Sequence, residues 1–222
     1  MTDRFPVVLL HGLARGPWSL ALLARRLDRA GFEVHNLSYP FRPHSLEQAL
    51  EPIERQLAER GLVDAERLGW ATYSLGGLLA RAYLAAQRTE ARDRLVMMAP
   101  PNQGTEIVDA IGHTRLFRLM FGELASSLGT RRDSLPRRLA IPTAEIGVIA
   151  GRRWINPLGR WLLRSEHDGT VTVESTRITG MADHLVVPHS HTLLMNSTMV
   201  ASEVAHFLRH GRFHRTSDSR AA

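Results

Sequence analysis

The chain has 222 residues, 44% of them hydrophobic, and a formal net charge of +6, which suits one sizeable domain with a full apolar core. It contains no cysteine, which excludes disulfides, cysteine nucleophiles and thiolate metal sites and favours a reducing compartment. Every basic residue is an arginine, scattered among glutamates on helical stretches without an aromatic-interleaved binding pattern, so we expect solvated faces and no nucleic-acid partner.

The first predicted strand, Val7 to Leu10, is an apolar run that ends at His11 and Gly12. It is much shorter than a secretory or membrane-spanning segment, so we expect no targeting segment. With no cysteine in the chain, the cytoplasm is the default location that we expect. A loop containing Pro17-Trp18-Ser19 follows, and apolar residues then recur at helical spacing from Leu20 to Leu27.

The same alternation of strand and helix continues along the chain. Strands are predicted over Phe32 to Tyr39, Arg67 to Tyr73, Arg94 to Ala99, Glu145 to Ala150 and His184 to Val187, and helices over Ser45 to Arg60, Leu75 to Gln87 and Ser197 to His210. This order implies right-handed crossovers and an α/β fold, with a mostly parallel sheet of about six strands and helices on both faces.

Residues 102–141 interrupt this alternation with an apolar cluster from Leu116 to Phe121 and with basic, proline-flanked stretches. We interpret them as a short cap-like insertion. Its apolar helix could be a mobile flap that covers substrate or makes transient contact with a membrane surface, or an ordinary helix packed on the core. We expect one domain over 1–214 and a polar C-terminal tail over 215–222.

The junction Ala71-Thr72-Tyr73-Ser74-Leu75-Gly76-Gly77 lies where a predicted strand meets a predicted helix. A serine hydroxyl is a poor nucleophile unless a proton acceptor lies beside it and the serine stands clear of the backbone. A sharp strand-turn-helix with φ > 0 at Ser74 would meet the second condition, and glycines would let the helix and strand approach closely. The alternative is a loop serine before a glycine-rich helix start.

A nucleophilic Ser74 would need a base from a later strand end. Of three candidate histidines, we favour His191, because it lies in the loop just before the final helix, whereas His184 opens a strand and is expected to be structural. His189 and His191 could instead bind a metal, but no third ligand is indicated.

The orienting acid should precede the histidine in sequence. Asp168 lies in a turn-like stretch, Ser165 to Val171, where backbone donors can hold a carboxylate that points at an imidazole. Glu166 and Asp183 are competing candidates, and an Asp-Gly pair is also a common simple turn.

An oxyanion hole needs two backbone N–H groups directed at the developing negative charge. Leu75, the residue after the serine, supplies one, and Leu13 after His11-Gly12 is the natural second donor. Alternatively, His11-Gly12 only ends a strand.

Together these features resemble the α/β-hydrolase superfamily, in particular its lipase-like and carboxylesterase-like serine hydrolases. The matching segments are Val8 to Leu13, the Ser-x-Gly-Gly elbow at Ser74, Ala99-Pro100-Pro101-Asn102-Gln103-Gly104-Thr105, Asp168 to Val171 and His191-Thr192. The chain departs from the usual pattern at Thr72, where glycine is common, and at Tyr73, where histidine is frequent.

The resemblance implies a minimal α/β-hydrolase fold and cleavage of a lipid or small acyl ester through an acyl-enzyme, with no cofactor and no metal. Acyl transfer or amide cleavage by the same residues is a neighbouring alternative. A hydrolase-like fold that only binds is the alternative from another class, since fold does not fix function. No motif indicates an oligomeric state.

Overall fold

The computed structural model describes residues 4–87, 93–155 and 157–214, so the predicted tail over 215–222 lies outside the described residues. Six strands form one sheet in the order β2-β1-β3-β4-β5-β6, and every neighbouring pair is parallel. The strands are β1 Pro6–Leu10, β2 Glu33–Leu37, β3 Gly69–Tyr73, β4 Arg94–Met98, β5 Glu145–Gly151 and β6 Asp183–Val187. The predicted α/β class and parallel sheet are therefore confirmed.

Helices cover both faces of this sheet. They are α1 Ala21–Arg29, α2 Leu46–Glu59, α3 Leu75–Ala86, α4 Glu106–Ile111, α5 Arg115–Phe121, α6 Glu123–Ser126, α7 Leu135–Arg138, α8 Pro157–Leu162, α9 Val173–Thr176, α10 His191–Leu194 and α11 Thr198–His210. Within the described ranges, no helix is both long enough and apolar enough to cross a membrane.

Two apolar clusters fill the space between sheet and helices, one on each face. Successive strand residues point to opposite faces, so Val8 and Leu10 pack with α2 and α3, whereas Val7 and Leu9 pack with α1 and α11. Strands buried on both faces read as continuous apolar runs, which explains why β1 could be located from sequence.

Residues 102–141 contain the short helices α4 to α7. Helix α5 is two-sided: Phe117 is buried in the core cluster, whereas Leu116, Leu119 and Met120 are exposed. The inward face therefore packs as an ordinary helix does, and the outward face presents apolar side chains to solvent.

Arg81 departs from the expectation that arginines occupy solvated faces. Its side chain, on α3, is buried, and it donates hydrogen bonds to the carbonyls of Leu139 and Ala140, the second at 3.0 Å. A further contact, 3.4 Å long, reaches Oδ1 of Asn102. Burial lowers the pKa of Arg81 to about 10. The guanidinium thus joins α3 to both ends of the 102–141 segment.

Replacing this buried guanidinium should destabilise the fold. We expect Arg81→Met to lower the free energy of unfolding by about 2–4 kcal/mol, because it leaves buried carbonyls without donors. The matched control is Arg55→Met, at an exposed ion pair with Glu51, which should cost less than about 1 kcal/mol. Urea unfolding measures both, and equal small losses would contradict the structural role of Arg81.

Candidate active site

Ser74 occupies the sharp turn between β3 and α3. Its backbone has φ 52° and ψ −120°, in the region that L residues rarely adopt, and its N–H donates to the carbonyl of Met98 at 2.8 Å. The hydroxyl is free for other contacts because it makes no capping bond to α3. Gly76 permits this turn: a Cβ there would lie 2.4 Å from the carbonyl oxygen of His11.

Asp168 lies in a tight turn after β5. One carboxylate oxygen, Oδ1, accepts backbone N–H bonds from Thr170 at 2.9 Å and Val171 at 2.8 Å. Its side chain is 1% exposed. The loop packs closely on β5, since a Cβ on Gly151 would meet the Asp168 Cβ at 2.8 Å. Backbone donors therefore hold one oxygen and leave Oδ2 directed elsewhere.

His191 connects the carboxylate to the serine. Its Nδ1 lies 2.7 Å from Oδ2 of Asp168, and its Nε2 lies 3.2 Å from Oγ of Ser74. The backbone N–H of His191 also donates to the Asp168 carbonyl at 2.9 Å. A carboxylate only accepts hydrogen bonds, so Nδ1 donates in this contact, and in the neutral imidazole the lone pair of Nε2 then faces the hydroxyl.

The structure therefore brings together the three side chains that the sequence singled out. One detail differs: His191 was expected in a loop, but it is the first residue of the short helix α10.

Tyr73 is a supporting residue that the sequence analysis noted only as a departure from the family pattern. Its hydroxyl donates to the carbonyl of His191 at 2.9 Å, and its ring centre lies 5.1 Å from the imidazole centre. Burial raises the pKa of Tyr73, so the phenol stays protonated and remains a donor. Its position beside Ser74 in sequence was the signal available for finding it.

The predicted backbone donors, Leu13 and Leu75, border the same cavity as Ser74. Leu75 is the first residue of α3, where an N–H has no acceptor within its own helix. Among the hydrogen bonds of the described residues, neither N–H is committed to an acceptor.

The cavity beside Ser74 has a volume of about 320 Å³ and mainly apolar walls. Much of its lining comes from the 102–141 segment: Ile107, Val108, Ile111, Phe117, Phe121 and Leu128. The insertion thus supplies more than half of the apolar lining side chains, and the loops after the strands supply Ser74 and His191.

The alternative acids and the alternative metal ligand make other contacts or none. Glu166 is 3.9 Å from Arg152, and Asp183 accepts from the backbone N–H groups of His184 and Phe213. His189 has a buried Nδ1 without a hydrogen-bond partner in the part of the chain that is described. Among those residues, no group of three or more histidine or carboxylate side chains could hold a metal ion.

Comparisons with known proteins give one partial sequence match. No protein-family model matches the chain. An alignment 126 residues long shows 30% identity to the lysosomal thioesterase PPT2 homolog of Drosophila melanogaster, and it covers 54% of this chain and 42% of that protein. The match therefore spans less than half the length of this curated relative.

Similarity to solved structures extends over nearly the whole chain. A lipase from Bacillus licheniformis in its mature form has a TM-score of 0.71 at 15% identity, over 94% of this chain and 92% of that one. A metagenomic carboxyl esterase has a TM-score of 0.69 at 17% identity, over 95% and 75%. The Legionella pneumophila phospholipase PlaB, with thio-NAD, has a TM-score of 0.69 at 16% identity, over 92% and 56%. The chain has the α/β-hydrolase fold, as the sequence motifs predicted.

The expectation that His184 is a structural residue can be tested through the pH dependence of stability. Its Nε2 lies 3.0 Å from the hydroxyl of Thr176, and burial, together with the charge of Arg177, lowers its pKa to about 4. The unfolded chain takes up this proton near the ordinary value of 6.5. Between these two pKa values the unfolded chain therefore binds more protons than the folded state, and the free energy of unfolding falls as pH is lowered through that range.

We expect His184→Gln to reduce the loss of melting temperature between about pH 7 and about pH 5, because it removes this buried titrating group. His113→Gln, at an exposed histidine, should leave the loss unchanged. Differential scanning fluorimetry measures both variants, and a wild-type-like loss in His184→Gln would refute the assignment.

Proposed function

We propose that the chain is a serine hydrolase that cleaves carboxylic esters through an acyl-enzyme intermediate. The observation that carries this proposal is the continuous hydrogen-bonded chain from Ser74 Oγ through His191 to the buried carboxylate of Asp168. It stands at the carboxyl ends of parallel strands, where α/β folds place their reacting groups. The similarity to lipases and esterases supports the same reaction class.

The geometry supports a definite division of roles. Ser74 Oγ attacks the carbonyl carbon while its proton passes to Nε2 of His191, and Asp168 stabilises the imidazolium without taking the proton. The Leu13 and Leu75 N–H groups stabilise the oxyanion; loss of one such donor typically costs roughly 100- to 1000-fold in turnover. His191 then protonates the departing alcohol. Water next attacks the acyl-enzyme, with His191 accepting its proton and returning it to Ser74 Oγ, and the carboxylic acid is released.

The apolar cavity supports an acyl chain as the group bound beside Ser74. Its walls offer hydrocarbon rather than hydrogen-bonding groups, so burial of an aliphatic chain there is favoured in proportion to the area removed from water. A lipid or small acyl ester is the substrate class that follows. Since the acyl-enzyme could also react with an alcohol or be formed from an amide, acyl transfer and amide cleavage remain the neighbouring alternatives.

Substitutions at the three side chains test the reaction itself. We expect Ser74→Ala and His191→Ala each to lower kcat by about 10⁶-fold, and Asp168→Asn to lower it by about 10⁴-fold. Glu166→Gln, at the competing acid nearby, should leave turnover near the wild-type rate. Hydrolysis of a panel of nitrophenyl esters measures these effects, with circular dichroism as the check on folding. Full turnover by Ser74→Ala would refute the proposal, and so would a wild type inactive on every ester.

Phe117 should limit the length of the acyl chain. We expect Phe117→Trp to lower kcat/KM for nitrophenyl decanoate relative to nitrophenyl butyrate by about tenfold, because a larger ring fills the cavity. Its neighbour Leu116 is 66% exposed, so Leu116→Trp is the matched control and should leave the ratio unchanged. Equal ratios in wild type and both variants would show that the acyl chain lies elsewhere.

A further inference from the structure

A second concave surface adjoins the candidate active site. This groove, of about 340 Å³, runs between α1 and the α10 segment. Residues that line it include Arg15, Trp18, Leu22, Arg25, Leu193 and Asn196. Arg26 holds its two sides together, since its guanidinium donates to the carbonyl of Asn196 at 2.6 Å. A hydrogen bond therefore connects the two elements that form the groove, α1 and the α10 segment.

The groove meets the acyl cavity beside the histidine. Arg15 and Thr192 line both spaces, and Thr192 directly follows His191. In the proposed reaction His191 gives its proton to the departing group, so that group must lie on the histidine side of Ser74. The groove thus occupies the place where the alcohol or thiol half of the substrate extends.

The charge of the groove is entirely positive. Arg15 and Arg25 are among its lining residues, and none of those residues is acidic. Within the described ranges, neither arginine forms an ion pair with a carboxylate, in contrast to Arg4 with Asp28 and Arg94 with Glu145. Two guanidinium groups without anionic partners favour an anionic ligand, and their fork geometry suits phosphate oxygens.

The remaining walls suit an amphipathic group. Trp18 is 73% exposed and Leu193 is 52% exposed, so the groove offers apolar contact area beside its two cations. The Arg15 guanidinium carbon lies 5.7 Å from the centre of the Tyr73 ring, which places this cation at the entrance to the cavity. The net charge of +6 further favours the approach of an anionic substrate.

We infer that the groove binds a leaving group that carries a phosphate, so that the substrate is an acyl ester or thioester of a phosphorylated alcohol or thiol. The acyl chain lies in the cavity lined by Phe117, the scissile carbonyl lies at Ser74, and the phosphate lies between Arg15 and Arg25. This inference rests on the proposed function and specifies its substrate class.

Two matched substrate pairs test the inference, and the members of each pair differ by one phosphate. The first pair is monooctanoylglycerol and monooctanoylglycerol phosphate. The second pair is octanoyl-pantetheine and octanoyl-phosphopantetheine, both thioesters. The readout is the ratio of kcat/KM for the phosphorylated member to that for the neutral member. We expect a ratio of about ten or more in at least one pair, and the pair that shows it distinguishes alcohol from thiol.

Substitutions then test whether the groove arginines cause the preference for the phosphorylated substrate. Arg15→Gln and Arg25→Gln should each lower the ratio about fivefold or more, as loss of a charge-assisted bond predicts. Arg29 is the matched control: it is exposed on α1 four residues after Arg25 but does not line the groove, so Arg29→Gln should keep the ratio.

The outcomes separate the inference from the proposed function. A ratio near one in both pairs, with neutral members hydrolysed in a Ser74-dependent way, overturns the inference and leaves the hydrolase intact. A high ratio unaltered by Arg15→Gln and Arg25→Gln also overturns it. Failure of wild type to hydrolyse any member overturns both.

Discussion

The contact between His191 Nδ1 and Oδ2 of Asp168, 2.7 Å long, is the interaction on which the site depends. It fixes which imidazole nitrogen faces Ser74, and the backbone supports it twice. Thr170 and Val171 hold the other carboxylate oxygen, and the His191 N–H donates to the Asp168 carbonyl. Because β5 and β6 are adjacent parallel strands, the segments that follow them emerge side by side. Asp168 and His191 therefore lie close enough for their side chains to meet.

The parallel sheet and most of the apolar cavity wall come from different parts of the chain. The parallel sheet supplies the strand ends after which the polar groups lie, whereas the 102–141 segment supplies most of the apolar side chains of the cavity wall. Arg81 joins the two, since its buried guanidinium lies on α3, directly after the Ser74 turn, and binds carbonyls of Leu139 and Ala140. Under the proposed function, changes in the insertion would therefore alter substrate choice while the serine, histidine and carboxylate keep their positions.

The fold and the contacts that join Ser74, His191 and Asp168 were predictable because each element leaves a local signal in the sequence. Buried parallel strands give apolar runs, and the turn at Ser74 needs glycine at 76, where any Cβ would strike the β1 backbone. Thr72 is accommodated where glycine is usual because its hydroxyl donates to the Val96 carbonyl at 3.1 Å. Burial of Arg81 and the bond from Tyr73 to the His191 carbonyl were not predictable, because each depends on partners far away in sequence.

The central claim is that Ser74 is a nucleophile activated by His191, and a fluorophosphonate probe followed by peptide mass spectrometry tests it most directly. Such a probe reacts covalently with an activated serine and needs no knowledge of the substrate. The account predicts one modified residue, Ser74, in the wild type, no modification of Ser74→Ala, and strongly slowed labelling of His191→Ala. A folded wild type that stays unmodified, or equal labelling of Ser74→Ala at another serine, would contradict it.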